Sequence, residues 1–391
     1  MSQLTPHEES HQTITDEDIR KLLEVADESK TRTSLLTVGL VMLGLLIAAM
    51  AIIGLFVLAA ARDARSDAKR AAAMPMPMPS TGTGSSPFKS YAGAGPANAD
   101  VLAMKHTPYN AKLPPAPAGP VANVHLDMQN VVQEIAPGVR YNVWTFGPGA
   151  PGPVIHVRQG QLVNVTITNK GTMPHSVDFH AARIAPNVAF TDVAPGKSFT
   201  FSFRANDPGV FMYHCGTKPV LMHIANGMYG AIVVEPPNLP KADNQYVLVS
   251  SEWYLNGDGV KAPADLDFDK AMAGIPDWIT WNGYASQYAT HPLTANPGDT
   301  TRFWVVAAGP SLSTEFHVVG TIFDRAWVNG DMSQFEHGVQ TVHVAAGGGG
   351  AFDVKIPDTG TYPFVSHAFN TVAKGQVGIL KVGNPATTMS H

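Results

Sequence analysis

Apolar and polar positions divide the chain into stretches of different texture. From Thr33 to Ala61 no charge interrupts TSLLTVGLVMLGLLIAAMAIIGLFVLAAA. About 20 apolar residues carry a helix across a bilayer core, so this run suffices even when tilted. The apolar part of a cleaved leader is about 7–15 residues long behind a short basic start. The present run is longer and follows an acidic tail over 1–32, so one retained transmembrane helix over 33–61 is expected. In the tail, Ile19, Leu22, Leu23 and Ala26 recur at helical spacing behind Thr15 as N-cap, the pattern of a short amphipathic helix. Arg20, Lys21, Lys30 and Arg32 precede the anchor, and Arg62, Arg65, Lys69 and Arg70 follow it. The preference of basic residues for the cytoplasmic side therefore gives no orientation.

Residues 62–119 read as a flexible tether. Charges come first, then AAAMPMPMPSTGTGSSP, then more Ala, Gly and Pro, a composition that buries no core of its own. The Met-Pro alternation over 74–79 favours an extended path, and its thioethers are soft enough to capture Cu(I) transiently, although a spacer is the simpler reading. From Val121 the texture becomes short β-branched runs cut by turns, among them VIHVRQGQLVNVTITN, KSFTFSFRA, GAIVVEP, QYVLVSSEWYL, TTRFWVVAAG and GQVGILKVG. These are strand patterns without amphipathic helices between them, which predicts an all-β fold of sandwiches with Greek-key connections. VIHVRQGQLVNVTITN, VAPGKSFTFSF and GMYGAIVVEP are echoed later by LTANPGDTTRFWVVAAG, VAAGGGGAFDVKI and GQVGILKVG. The echo implies a duplicated domain, first copy 120–238 and second copy 243–384, with the Gly347–Gly350 run as a turn and not a phosphate cradle.

Composition narrows the chemistry. Lys and Arg number 26 against 31 Asp and Glu, a net charge of −5, which leaves no broad basic footprint for nucleic acid. The single cysteine, Cys215, excludes an internal disulfide and any zinc site built on several cysteines. Of 15 histidines, His125, His156, His291, His337 and His343 stand alone in strands or turns and read as structural. Six others fall in four short segments: His175 and His180 in MPHSVDFHAA, His214 and His223 in FMYHCGTKPVLMHIANGM, His317 in STEFHVVG and His367 in YPFVSHAF.

Cys215, His223 and Met228 form C-x7-H-x4-M, a thiolate, an imidazole and a thioether on one loop. With His175 they make the two-histidine, one-cysteine set with a weak axial methionine that suits a blue-copper electron-transfer site. Neighbours on an extended strand point to opposite faces. In HSVDFH, His175 therefore faces away from Asp178 and His180, and His214 faces away from Cys215. Cys215 and His175 can share one metal while His214 and His180 share another, joined by the peptide between residues 214 and 215. Two imidazoles bind a metal weakly, so a third ligand is needed, and the second domain offers His317 and His367.

With these motifs the chain from about residue 121 to 383 resembles the copper-containing nitrite reductases, which are built from two cupredoxin domains. The resemblance implies one type 1 copper on His175, Cys215, His223 and Met228, and one type 2 copper on His180, His214 and His367. It further implies Asp178 and His317 as catalytic residues and Val319 as a cap on the substrate pocket. Implied with these are nitrite as substrate, a homotrimer whose second domain closes the type 2 site of a neighbour, and a small cupredoxin or c-type cytochrome as electron donor. The expected anchor sets the location as the cell (inner) membrane, spanned once, and the resemblance implies that the catalytic domains face the periplasm or cell exterior. The chain departs from the common family pattern in a Cys-to-His interval one residue shorter, GTKPVLM, and in an anchor and tether where a cleaved leader is usual. No C-x-x-C-H haem motif is present, so no haem donor is fused to the chain.

Two other readings compete. A laccase-like oxidase builds its trinuclear cluster from His-x-His pairs, and no two histidines here are separated by a single residue. An anchored copper storage or electron-relay protein would suit the Met-Pro repeat, but it has no need of His180, His214, His367, Asp178 and His317 together.

Overall fold

The structure, a computed structural model, describes Glu17, Arg20, Lys21, Met50, residues 96–328 and residues 332–385. The anchor over 33–61, Met50 apart, and the Met-Pro stretch lie outside the described residues. In the tail, Glu17, Arg20 and Lys21 are helical, and Lys21 pairs with Glu17 one turn away at 3.3 Å. Among the described residues no helix is long and apolar enough to cross a membrane. Residues from 96 onward fall within one compact unit, Gly84–His391.

That unit is mostly strand. Its first half holds β1 (Val121–Ala136), β2 (Val139–Phe146), β3 (Ile155–Arg158), β4 (Leu162–Asn169), β5 (Asp178–Phe179), β6 (Ser198–Arg204), β7 (Gly209–His214) and β8 (Tyr229–Glu235). The second half begins with β9 (Asn244–Trp253), β10 (Leu255–Asn256), β11 (Asp265–Leu266), β12 (Trp278–Trp281), β13 (Leu293–Ala295) and β14 (Thr300–Gly309). It continues with β15 (Thr314–Val318), β16 (Arg325–Val328), β17 (Thr341–Val344), β18 (Gly349–Lys355), β19 (Gly360–Ser366) and β20 (Val377–Val382).

The halves share one plan. The first makes sheets β2-β1-β4-β6 and β3-β8-β7-β5; the second makes β12-β9-β14-β18-β16 and β13-β20-β19-β15-β17. Strand for strand, β1, β4 and β6 correspond to β9, β14 and β18, while β5, β7 and β8 correspond to β15, β19 and β20. Even the parallel pairs recur, β1 with β4 as β9 with β14, and β3 with β8 as β13 with β20.

Burial explains the strand textures. In β4, LVNVTITN, buried and half-buried residues alternate without exception, because only one face meets the core. Val163, Val165 and Ile167 pack with Phe179, Ile232 and Val234 of the facing sheet. Between the halves, Val210, Met212, Tyr229 and Ala231 pack with Val247, Val249, Trp304 and Val306. The two middle sheets are therefore covered on both sides, and β8, β9 and β14 are buried along nearly their whole length.

The segment expected to be a free tether departs from that reading over 96–119. Its helix α1 (Ala99–Lys105) has Asp100 in the first turn and Lys105 in the last, complementing the helix dipole. His106 then stacks on Tyr284 with centroids 3.6 Å apart. Ala111 and Leu113 hydrogen-bond to β9 through Val247 and Gln245. Prolines lack an N–H but keep a carbonyl, and Pro114 and Pro117 are held by His156 and Gln161 through theirs. Composition counts residues; it does not see carbonyls docking on a sheet already formed.

One ion pair is fully buried. Arg302 donates to both carboxylate oxygens of Asp353, at 2.6 and 2.8 Å, and its guanidinium lies over Trp327. Asp353→Ala leaves a buried cation without its partner, and a loss of about 3–5 kcal/mol is expected. A fall in the urea unfolding midpoint checks it; replacing both partners by apolar residues of similar size should cost less.

Candidate metal centres

Two groups of donor side chains converge near the end of β7. In the first, Cys215 follows the last residue of β7, and its N–H donates to the Met228 carbonyl, 3.1 Å away, at the start of β8. Between them the chain makes helix α2 (Val220–Ala225), which carries His223 in its last turn. Gly227 turns the chain back at φ 113°, where a Cβ would come within 2.6 Å of Val143. That return leaves Met228 fully buried beside Cys215. His175 enters from the segment before β5, fixed by paired hydrogen bonds with Val193.

The three donors crowd together. His175 Nδ1 and His223 Nδ1 are 3.0 Å apart, and Cys215 Sγ lies 3.2 Å from His223 Nδ1 and 4.0 Å from His175 Nδ1. Trp144 packs on both rings, its centroid 5.6 Å from His175 and 5.1 Å from His223. Burial, then the neighbouring His223, pushes the His175 pKa down to about 4; burial lowers His223 as well and raises the Cys215 thiol. Near neutral pH both imidazoles are thus uncharged. Nδ1 of each ring turns inward, so that two nitrogens and the Cys215 sulfur converge on one point where a cation would sit. His175 Nε2 is buried without a hydrogen-bond partner, a cost that a metal bond on the other nitrogen offsets. Thiolate, two imidazoles and a thioether are the donor set that fits copper.

The second group lies on the other side of the same strand end. His180 Nε2 and His214 Nε2 face each other at 3.0 Å, and a carboxylate oxygen of Asp178 lies within 4.8 Å of both. Asp178 and His214 are direct cross-strand partners. Each ring has its tautomer fixed from behind. His180 Nδ1 donates to the Gly347 carbonyl at 3.0 Å and His214 Nδ1 donates to the Cys215 carbonyl at 2.9 Å. Both Nε2 atoms therefore present lone pairs to the same point, again the geometry of a metal site. Burial is the leading cause that lowers the His214 pKa, which keeps that lone pair free.

His317 and His367 stand apart from this group. Among the described residues, the donors converging there are Asp178, His180 and His214 alone. In the second half, His317 on β15 and His367 just after β19 make a tilted pair with centroids 5.4 Å apart. His317 Nδ1 donates to the Gln340 carbonyl at 2.5 Å, which leaves its Nε2 outward. His367 is exposed and packs edge-on against exposed Phe369. Val319 follows β15 half-buried, its N–H held by the Pro363 carbonyl at 2.7 Å. By strand position this pair is the counterpart of His180 and His214, since β15 and β19 correspond to β5 and β7. Sequence reasoning passed over Trp144 and the Gly347 carbonyl; a carbonyl leaves no trace in residue type, and the glycine run read only as a turn.

Fold and donor set together define a copper-binding β-sandwich protein. A family model described as multicopper oxidase matches residues 127–239. The chain is 42% identical over 270 residues to the copper-containing nitrite reductase of Neisseria gonorrhoeae, covering 67% of this chain and 69% of that one. The solved copper nitrite reductase of Nitrosomonas europaea superposes with TM-score 0.63 at 32% identity, over 68% of this chain and 95% of that one. That of Thermus scotoductus gives 0.62 at 30% identity, over 68% and 64%. The chain belongs to the copper-containing nitrite reductases.

The pKa directions predict a proton count. At pH 7 the thiol of Cys215 is protonated and His175 is not, so a metal ion entering the first group displaces about one proton. Cobalt(II) titrated into the metal-free protein, followed by calorimetry in buffers of differing ionisation enthalpy, should show Cys215→Ala releasing about one proton fewer per chain. Below about pH 4 His175 also holds a proton, and release should rise.

Proposed function

We propose that this chain reduces nitrite to nitric oxide, NO2⁻ + 2H⁺ + e⁻ → NO + H2O. The observation that carries the reading is the pair of inward-facing donor groups back to back on the His214–Cys215 strand end. His175, Cys215, His223 and Met228 would hold the type 1 copper, and His180 and His214 the type 2 copper, one of each per subunit. Copper, when bound, supplies the one-electron chemistry that these side chains lack.

The chain's own residues do the rest. The peptide joining His214 to Cys215 links both ligand sets through a few covalent bonds, the route for the electron. Asp178, beside the two Nε2 atoms, can hold one of the two protons consumed at its carboxylate. The partner subunit's His317, brought in beside the partner's His367, would carry the other at Nε2, since its Nδ1 is engaged with Gln340. Val319, on the residue pair's own strand end, would cap the pocket that nitrite enters. Among the described residues no third imidazole converges there, and His367 is exposed on its own half, its ring against those of His317 and Phe369. That exposure supports a homotrimer in which the partner subunit's His367 would complete the type 2 ligands.

The charge-free run over 33–61 supports a single-pass anchor in the cell (inner) membrane. With the orientation that the family resemblance implies, the β unit would face the periplasm or cell exterior, where a small cupredoxin or c-type cytochrome would deliver the electron.

Full-length, copper-loaded protein with an artificial reductant and no oxygen should release nitric oxide from nitrite. A protein that binds copper and releases none would be a relay or storage protein instead. His367→Ala should keep the type 1 colour and lose more than about 100-fold in rate, as expected when a metal's ligand shell is broken. Cys215→Ala should bleach the protein and leave type 2 copper in place. Bleaching by His367→Ala would contradict the separation of the two sites.

A further inference from the structure

The peptide between Cys215 and Gly216 is held at both ends. Its carbonyl accepts from His214 Nδ1 at 2.9 Å, and its N–H donates to Ser176 Oγ at 3.1 Å. Ser176 is fully buried and Thr217 nearly so. Their hydroxyls lie 3.1 Å apart, and Thr217 Oγ1 lies 2.6 Å from Asp192 Oδ1. Asp192 is exposed. The backbone N–H of Ser176 also points at Cys215 Sγ, 3.4 Å away.

Thr217 Oγ1 is in reach of both Ser176 Oγ and Asp192 Oδ1, and the shorter contact, to Asp192, gives the direction of this chain of bonds. An ionised carboxylate only accepts, so Thr217 gives its single hydroxyl proton to Asp192. Thr217 Oγ1 then accepts from Ser176, whose oxygen in turn accepts from Gly216 N–H. All the dipoles align from the peptide toward the surface carboxylate, and bonds aligned in this way strengthen one another.

We propose that Asp192, Thr217 and Ser176 form a relay of positioning residues that polarises the Cys215–Gly216 peptide and, through its carbonyl, tunes His214. Drawing the peptide N–H toward Asp192 makes the Cys215 carbonyl a stronger acceptor for His214 Nδ1–H. A more strongly engaged Nδ1 makes Nε2 a better electron donor, which favours the oxidised metal at the His180–His214 site. A surface carboxylate thereby adjusts the driving force for the electron that crosses the same peptide. The redox consequence rests on the two-copper reading; the hydrogen-bond relay itself does not.

Three variants of the full chain test it: Thr217→Val, which breaks the relay and keeps the Asp192 charge, Thr217→Ser, which keeps the hydroxyl, and Asp192→Asn. The first readout needs no copper. In the metal-free protein the His214 Nδ1–H proton resonance should move upfield in Thr217→Val and in Asp192→Asn, and return in Thr217→Ser. The second is a redox titration of the copper-loaded protein followed by electron spin resonance of the type 2 signal. There Thr217→Val and Asp192→Asn should shift the ratio of oxidised to reduced ion about threefold toward the reduced form at fixed poise, with Thr217→Ser at the wild-type ratio. A shift in Asp192→Asn alone, with Thr217→Val unchanged in both readouts, would show charge acting through space and overturn the relay. Thr217→Ser behaving like Thr217→Val would overturn it as well, because only packing would then matter. A moved resonance in a protein lacking type 2 copper would uphold the relay and sink the two-copper reading.

Discussion

Side chains on an extended strand alternate, and two adjacent residues at one strand end cannot serve the same site. His214 and Cys215 are such a pair, and most of what the protein holds ready follows from them. Cys215 turns into the first sandwich core, where burial keeps His175 and His223 neutral and the thiol protonated until a metal arrives. His214 turns outward to meet His180 and Asp178. A single peptide separates the two groups, and its carbonyl fixes the tautomer of His214. The requirement for two distinct environments, one dry and soft, the other polar and open, is met by strand geometry alone.

Duplication of the half provides the second constraint. Because both halves share one sheet plan, β15 and β19 present His317 and His367 where β5 and β7 present His180 and His214. Within one chain the middle sheets are buried against each other, with His180 and His214 at the end of the first half's middle sheet and His317 and His367 on the outer sheet of the second half. Trp253, Trp304 and Trp327 are buried in the core that the two halves share. The Gly347 carbonyl is the point where the second half reaches the first half's ligands, holding His180 from behind. Loop 345–348 thereby does in the folded chain what its sequence, all Ala and Gly, gives no sign of.

Much of this could be read from residue order. The period of two in LVNVTITN is the period of burial in β4, and the parity of HSVDFH separates His175 from Asp178 and His180 in the folded chain as it does on paper. Those readings rest on side-chain alternation, which is local. What escaped is what depends on backbone or on distant contacts. Gly347 acts through a carbonyl, Trp144 through packing from a strand far from the motifs, and Ser176 and Thr217 through hydroxyls found between ordinary loop residues. The 96–119 segment was misread for the same reason, since its prolines dock through carbonyls on strands that composition does not reveal.

We propose that the His180–His214 site of one subunit is completed by the partner subunit's His367. Mixed assembly tests it most directly. A chain carrying His180→Ala and His214→Ala keeps its own His367, and a chain carrying His367→Ala keeps its own His180 and His214. Each alone should be inactive with nitrite, while the two chains unfolded, mixed and refolded together should recover nitric oxide production and type 2 copper. Mixtures that stay inactive although they assemble, or a His367→Ala chain that keeps its type 2 copper unaided, would contradict it.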